Sequence, residues 1–264
     1  MTKARLTFGL LLVTLAFVPV TSQAQWKTPW DYEGPRGADH WSELDSDYAV
    51  CNQGKAQSPI DITSAEKADL PPLRFEFKSG PLKNLLNNGK TVRVDYHGAE
   101  SAGDILTVGD KTYQLTQFHF HHPGEEALHG KRYQMVVHLM YKSSDGKVVG
   151  VAVPVQAGRP NATVQKLWNH MPVKESKMLA DYSHPGEEVP GVEIDPGGLL
   201  PRSLGYYTYM GAVTAPPCTE DVRWYVLKTP VEMSAKQIRA FAVLFPNDAR
   251  PVQPVNGRLV QESR

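Results

Sequence analysis

The chain has 264 residues, 28 basic against 28 acidic side chains, and only two cysteines. A zero net charge removes the electrostatic basis for binding nucleic acid or an anionic membrane surface. This length suits one large domain with a substantial core, and no internal repeat breaks it up.

At the amino end, Lys3 and Arg5 precede an almost unbroken apolar run from Leu6 to Val20, and Ser22-Gln23-Ala24 follows as a small-x-small cleavage pattern. That order reads as a secretory signal peptide over residues 1–24, leaving a mature chain of residues 25–264. The competing reading is an uncleaved anchor, but the run falls short of the roughly twenty apolar residues that span a bilayer. Removing the leader takes away Lys3 and Arg5 and no acid, so the charge balance moves from zero to −2. No later segment is apolar enough to span a membrane. The expectation is an exported protein, periplasmic or secreted, with no membrane span in the mature chain. In such a compartment Cys51 and Cys218 favour a bridge, against the reading of two reduced thiols buried as small apolar residues.

The mature chain is loop-rich, with its proline and glycine spread throughout rather than gathered into a linker. Short β-branched or aromatic stretches recur between them: Leu73 to Phe77, Thr91 to Tyr96, Gln117 to His121, Met135 to Met140, Val148 to Val155 and Val222 to Leu227. Each is bounded by turn residues, which is a strand signature. Helical periodicity is confined chiefly to Ala162–Met171 and to Ser234–Phe245, the latter opening at a Ser234 cap and stopping before Pro246. The pattern predicts a mainly β domain with a few short helices.

The segment Gln117-Phe118-His119-Phe120-His121-His122-Pro123-Gly124-Glu125-Glu126 carries the chemistry. On a strand, residues two apart share a face, so His119 and His121 point together while Phe118 and Phe120 turn to the core. The next apolar run supplies His138, which an antiparallel return brings beside the first pair. Three imidazoles leave one position open on a tetrahedral zinc, the arrangement of a catalytic rather than a structural site. The competing reading is half-buried packing around aromatics. His122 breaks the alternation and His129 falls in a turn, so neither is counted as a ligand.

The sequence resembles the α-type carbonic anhydrases, in order along most of the mature chain. The resemblance runs through Trp30-Asp31-Tyr32 and His40-Trp41, Gln57-Ser58-Pro59-Ile60, Asn87-Asn88-Gly89, and the Gln117–His138 zinc segment. It continues through Tyr206-Tyr207-Thr208-Tyr209, Thr214-Ala215-Pro216-Pro217-Cys218 and Arg250-Pro251-Val252-Gln253-Pro254. It implies a large, mostly antiparallel twisted sheet of about ten strands with a few short peripheral helices. It also implies reversible hydration of carbon dioxide to bicarbonate and a proton by hydroxide on Zn²⁺, with His119, His121 and His138 as ligands. Glu125 and Thr214 match the family's gatekeeping pair, with Thr214 donating to the Glu125 carboxylate. Val148, Val213, Trp224 and Met140 align with the carbon dioxide pocket, and Gln117 with an outer partner of His119. Cys51 and Cys218 match the bridge of exported members. The partners implied are carbon dioxide, bicarbonate and water, on a monomer or dimer.

Four positions depart from the family. Val136 replaces a glutamate that accepts from the outer nitrogen of the third histidine. Loss of such a partner costs about 10–100-fold in metal affinity or activity, so weaker zinc retention is expected. Lys90 replaces the proton-shuttling histidine after Asn-Asn-Gly, and a lysine, with an ordinary pKa of about 10.4, relays protons poorly near neutrality. The proton-transfer region is therefore assigned to Lys90, Asn88 and Tyr32, with His97 as a further candidate. Ala215 and His122 stand where other residue types are commoner. The alternatives are a non-catalytic exported zinc-binding module of the same fold and a general zinc esterase.

Overall fold

The structure, a computed structural model, describes residues 28–96, 103–176 and 188–264; the signal-peptide reading of residues 1–24 and the shuttle candidate His97 lie outside these. The β-branched and aromatic runs of the sequence all form strands. In chain order these are β1 (Asp61–Ile62), β2 (Glu66–Ala68), β3 (Leu73–Glu76), β4 (Gly80–Lys83), β5 (Leu85–Asn87), β6 (Val92–Asp95) and β7 (Ile105–Val108). Then come β8 (Lys111–His121), β9 (Ala127–Leu128), β10 (Lys131–Arg132), β11 (Met135–Lys142) and β12 (Val148–Ala157). The remainder are β13 (Glu188–Ile194), β14 (Tyr206–Ala212), β15 (Glu220–Leu227), β16 (Val231–Met233) and β17 (Gln261–Ser263).

Among the described residues, twelve strands form one sheet, whose main path runs β2-β17-β14-β15-β12-β11-β8-β6-β5. Most neighbours are antiparallel, but β15 and β16 both run parallel to β12, and β17 runs parallel to β2. The count exceeds the expected ten, and four of its strands, β2, β5, β16 and β17, are only three residues long. Such fragments carry too few residues for period-2 alternation to register in the sequence.

The four longest strands, β15, β12, β11 and β8, lie side by side at the centre of the sheet. β11 is buried over seven consecutive residues because both of its faces are covered. One face packs into the main core, with Phe118, Phe120, Val137, Leu139 and Val151. The other belongs to a smaller cluster that includes Val136, Met140, Ala152 and Trp224. Burial of this kind is the dominant favourable term in folding, and here it fixes register, because a one-residue slip would exchange the two faces.

Four α-helices occur among the described residues: α1 (Trp41–Leu44), α2 (Val50–Gln53), α3 (Ala162–Asn169) and α4 (Ala235–Leu244). α4 begins at Ser234, whose hydroxyl accepts from the Gln237 amide while the Gln237 side chain accepts from the Ser234 amide, a reciprocal capping box. α3 stops at Asn169, two residues short of the sequence expectation, because Met171 precedes Pro172 and is steered away from helical geometry. Trp168 and Phe241 from these helices stack on each other and close over Phe120, with ring centroids 4.8 Å and 6.0 Å from it. The aromatics interleaved with the histidines of β8 thus anchor the strand from behind.

Candidate active site

The register of β8 on β11 sets His138 opposite His119 and Val136 opposite His121. Cross-strand partners share a face, so the three imidazoles converge on the side away from the main core. Their ring centroids are 4.8, 4.9 and 5.3 Å apart, and one ring nitrogen from each falls within 4.8 Å of the others.

Each ring has its second nitrogen engaged from behind. His119 Nδ1 lies 2.7 Å from Gln117 Oε1, and His121 Nδ1 lies 2.6 Å from the backbone carbonyl of Asp248. His138 Nε2 lies 2.9 Å from Glu126 Oε1. That contact corrects the expectation drawn from Val136: the outer nitrogen of His138 does have a carboxylate partner, supplied by another residue. With these nitrogens donating, the lone pairs left are on Nε2 of His119 and His121 and on Nδ1 of His138. The last two are buried and have no hydrogen-bond partner. Unpaired buried nitrogens are costly unless something else satisfies them. Three converging neutral imidazoles with locked tautomers fit a zinc ion.

The electrostatics favour that state for two of the rings. Burial, then the neighbouring imidazoles, hold His119 and His121 well below the ordinary histidine value, so both are neutral at pH 7. At His138 burial pulls downward most strongly, but the Glu126 and Glu125 carboxylates together outweigh it and raise the value.

Glu125 is fully buried. Burial pushes its carboxyl up to about 7; His138 opposes this, the Glu126 charge adds to it, and the Thr214 hydroxyl and Arg250 amide pull it down as donors. The Arg250 amide donates to Oε1 at 2.7 Å, while Oε2 makes no hydrogen bond of ordinary geometry. Arg250 is itself buried, and its guanidinium donates to Gln57 Oε1 and the Ser58 carbonyl, both at 2.8 Å, and to the Cys51 carbonyl. One cation therefore ties the Gln57-Ser58 element and α2 to the residue that holds Glu125.

The imidazoles open into a cleft of about 170 Å³ lined by Trp30, Tyr32, Met140, Val213, Ala215 and Trp224, with Asn88, Lys90, Gln117 and Thr214 among its polar groups. Val148, expected in the pocket, is not among the residues lining this cleft, although it packs against the cluster that contains Met140 and Trp224. Val148 faces the same side of β12 as Ala152, the partner of His138, but lies four residues farther on, about 13 Å at strand rise. The Trp224 indole spreads over Gly150 between them, and a methyl group there would come within 2.6 Å of the ring. Val148 instead borders a separate hollow with Lys147 and Arg223.

At the mouth, the Lys90 ammonium group lies 2.6 Å from Asp31 Oδ1 and 5.1 Å from the Trp30 ring. Asn88 builds the turn: its side-chain oxygen accepts from the amides of Lys90 and Thr91. The Tyr32 ring stands edge-on to His121 at 6.4 Å. Burial first, then the Glu125 and Asp248 charges, raise the Tyr32 phenol well above its ordinary value, so it keeps its proton at neutral pH. His122 is tied back by its ring to the Pro246 carbonyl, and His129 occupies a left-handed turn position. Cys51 and Cys218 form a disulfide with Cα atoms 5.0 Å apart, which secures the loop following Thr214.

Sequence reasoning passed over Glu126, Asp248 and Arg250. Glu126 was detectable only as a second acid beside Glu125. Asp248 serves His121 through its backbone carbonyl, which no residue type encodes. Arg250 was visible as part of the closing segment, and its burial was not.

The sequence model for the eukaryotic-type carbonic anhydrase family matches residues 36–264. A carbonic anhydrase of Nostoc sp. is 38% identical over 92% of this chain and 90% of its own length, and one of Pectobacterium carotovorum is 36% identical over 98% and 99%. The solved structure of a hyperthermostable carbonic anhydrase from an active hydrothermal vent chimney superposes with a TM-score of 0.80 at 34% identity, covering 89% of this chain and all of that one. Matched along nearly its whole described length in sequence and in fold, the chain belongs to the eukaryotic-type, or α-type, carbonic anhydrase family.

Proposed function

We propose that this protein catalyses the reversible hydration of carbon dioxide to bicarbonate and a proton, with zinc held by His119, His121 and His138. The observation that carries the reading is the set of three converging imidazole nitrogens, each ring fixed from behind by a different partner, facing a partly apolar cleft. Zinc, when bound, supplies a water acidic enough to ionise near pH 7, a value known for carbonic anhydrase itself rather than one read from this chain.

The chain's own residues supply orientation and exclusion. A cation held by the three imidazoles would favour the ionised form of Glu125, which then accepts from the Thr214 hydroxyl. With that proton committed, the Thr214 oxygen can only accept, so it selects a protonated species at the reacting position and turns its free electron pair toward the substrate. Trp224, Val213 and Met140 form a wall suited to an uncharged molecule of low polarity, and keep bulk water from it. The released proton must leave past Lys90, Asn88 and Tyr32. Export is supported by the disulfide, which persists in an oxidising compartment. Among the described residues no helix is long and apolar enough to cross a membrane.

Stopped-flow measurement of carbon dioxide hydration, with zinc quantified in the same sample, tests the proposal. Activity that scales with zinc and disappears in His119→Ala is expected. Stoichiometric zinc with no hydration above background would instead identify a non-catalytic zinc-binding module, and ester hydrolysis alone a zinc esterase.

A further inference from the structure

Glu126 is a buried acid with a single partner. It lies 4% exposed in the segment between β8 and β9; Oε1 is 2.9 Å from His138 Nε2, and Oε2 has no hydrogen-bond partner. Among the described residues no lysine or arginine forms an ion pair with it, and its one such contact is His138. Removing a carboxylate from water is expensive, and a lone hydrogen bond is a poor structural return for it. Residue 136, two before His138 on β11 and sharing its face, is the other place from which a side chain can reach this nitrogen. Val136 is apolar there and packs into the smaller cluster with Ile60 and Ile62.

Resting on the zinc reading above, we propose that Glu126 is the positioning residue of the third ligand, a carboxylate delivered from the β8–β9 segment in place of one from position 136. By accepting a hydrogen bond from Nε2–H it fixes the His138 tautomer with the lone pair on Nδ1, and it prevents the ring from turning about its Cβ–Cγ bond. Without it the proton is free to move to Nδ1, which abolishes the ligand. The chain therefore holds zinc as firmly as a relative with the glutamate on the strand, and Val136 is a compensated change rather than a defect.

The test compares zinc affinity, by competition with the chelator dipicolinate, in the wild-type protein, Glu126→Leu, Glu126→Gln and the transplant Glu126→Leu/Val136→Glu. Glu126→Leu removes the acceptor at similar volume, and its affinity should fall about 10–100-fold while the zinc-free melting temperature is no lower than wild type. Glu126→Gln keeps an acceptor without the charge and should lose several-fold, since charge-assisted bonds are about twice as strong as neutral ones. The transplant should recover to within about tenfold of wild type. Unchanged affinity in Glu126→Leu overturns the inference, and unchanged affinity in Glu126→Gln does so if the leucine variant does not fold. Loss of affinity matched by an equal loss of zinc-free stability also overturns it, because the role would then be structural. A wild-type protein that binds no zinc fails the function proposal instead, so the two failures are separable.

Discussion

Lys90 lines the cleft on the exit path proposed for the proton, and its ammonium group is held by Asp31, whose carboxylate also accepts from Arg36 at 2.9 and 2.6 Å. Those two cations outweigh the effect of burial and hold Asp31 below the usual carboxylate range, so the group stays charged at neutral pH. The ammonium group is thereby pinned beside Asp31 rather than free to swing between the cleft and bulk water. Added imidazole buffer is therefore expected to raise the maximal hydration rate severalfold, and Lys90→His to raise it without added buffer. A maximal rate independent of buffer concentration would overturn this account. The same residue-by-residue view explains what could be read from sequence. His119, His121 and His138 announced themselves because period-2 spacing and one hairpin-like return suffice to bring them together. Glu126 did not, because its partner lies twelve positions away across β9 and β10, two strands too short for any periodicity to register.

β8, β11 and β12 form a rigid floor, and their alternation was readable because both faces are buried and each slip carries a penalty. Alternation gives the face of a side chain and not its distance from the site: Val148 shares the face of Ala152, yet the Trp224 ring lies over Gly150 between them. Gly150 controls that separation. A methyl group there meets the indole at 2.6 Å, far inside van der Waals contact, so Gly150→Ala must push the Trp224 ring toward the imidazoles or off its strand. Overpacking of this kind costs about 1–3 kcal/mol. The expected outcome is a lower melting temperature together with a reduced kcat/KM for carbon dioxide, while zinc affinity remains within a few-fold of wild type. Unaltered kcat/KM in Gly150→Ala would show that the ring's position does not shape the reaction. The helices were legible for a different reason: the Ser234 cap with Gln237 three positions on is a local signal, complete within one turn.

Across the whole molecule, the disulfide closes a separation of 167 residues and joins the amino-terminal aromatic cluster of Trp30, Trp41 and Tyr48 to the loop that follows Thr214. Loop-closure entropy for that span amounts to about 5 kcal/mol, an upper figure. At about 2–4 °C per kcal/mol for a chain of this size, Cys51→Ser/Cys218→Ser should melt roughly 10–20 °C below wild type, and incubation with a thiol reductant should do the same. A melting temperature unmoved by both treatments would show that buried packing, rather than the covalent link, holds the loop.

The carbonyl that fixes His121 belongs to Asp248 and the amide that fixes Glu125 belongs to Arg250, each well over a hundred positions later in the chain. A polypeptide threaded across a membrane amino end first presents all three imidazoles long before either support has emerged. Metal acquired during that interval meets a His121 ring whose tautomer is not yet fixed. For a chain exported as proposed, loading would belong to the far side of the membrane, after translocation, and the metal ion that fills the site would be set by what that compartment contains rather than by the cytoplasm in which the chain is made.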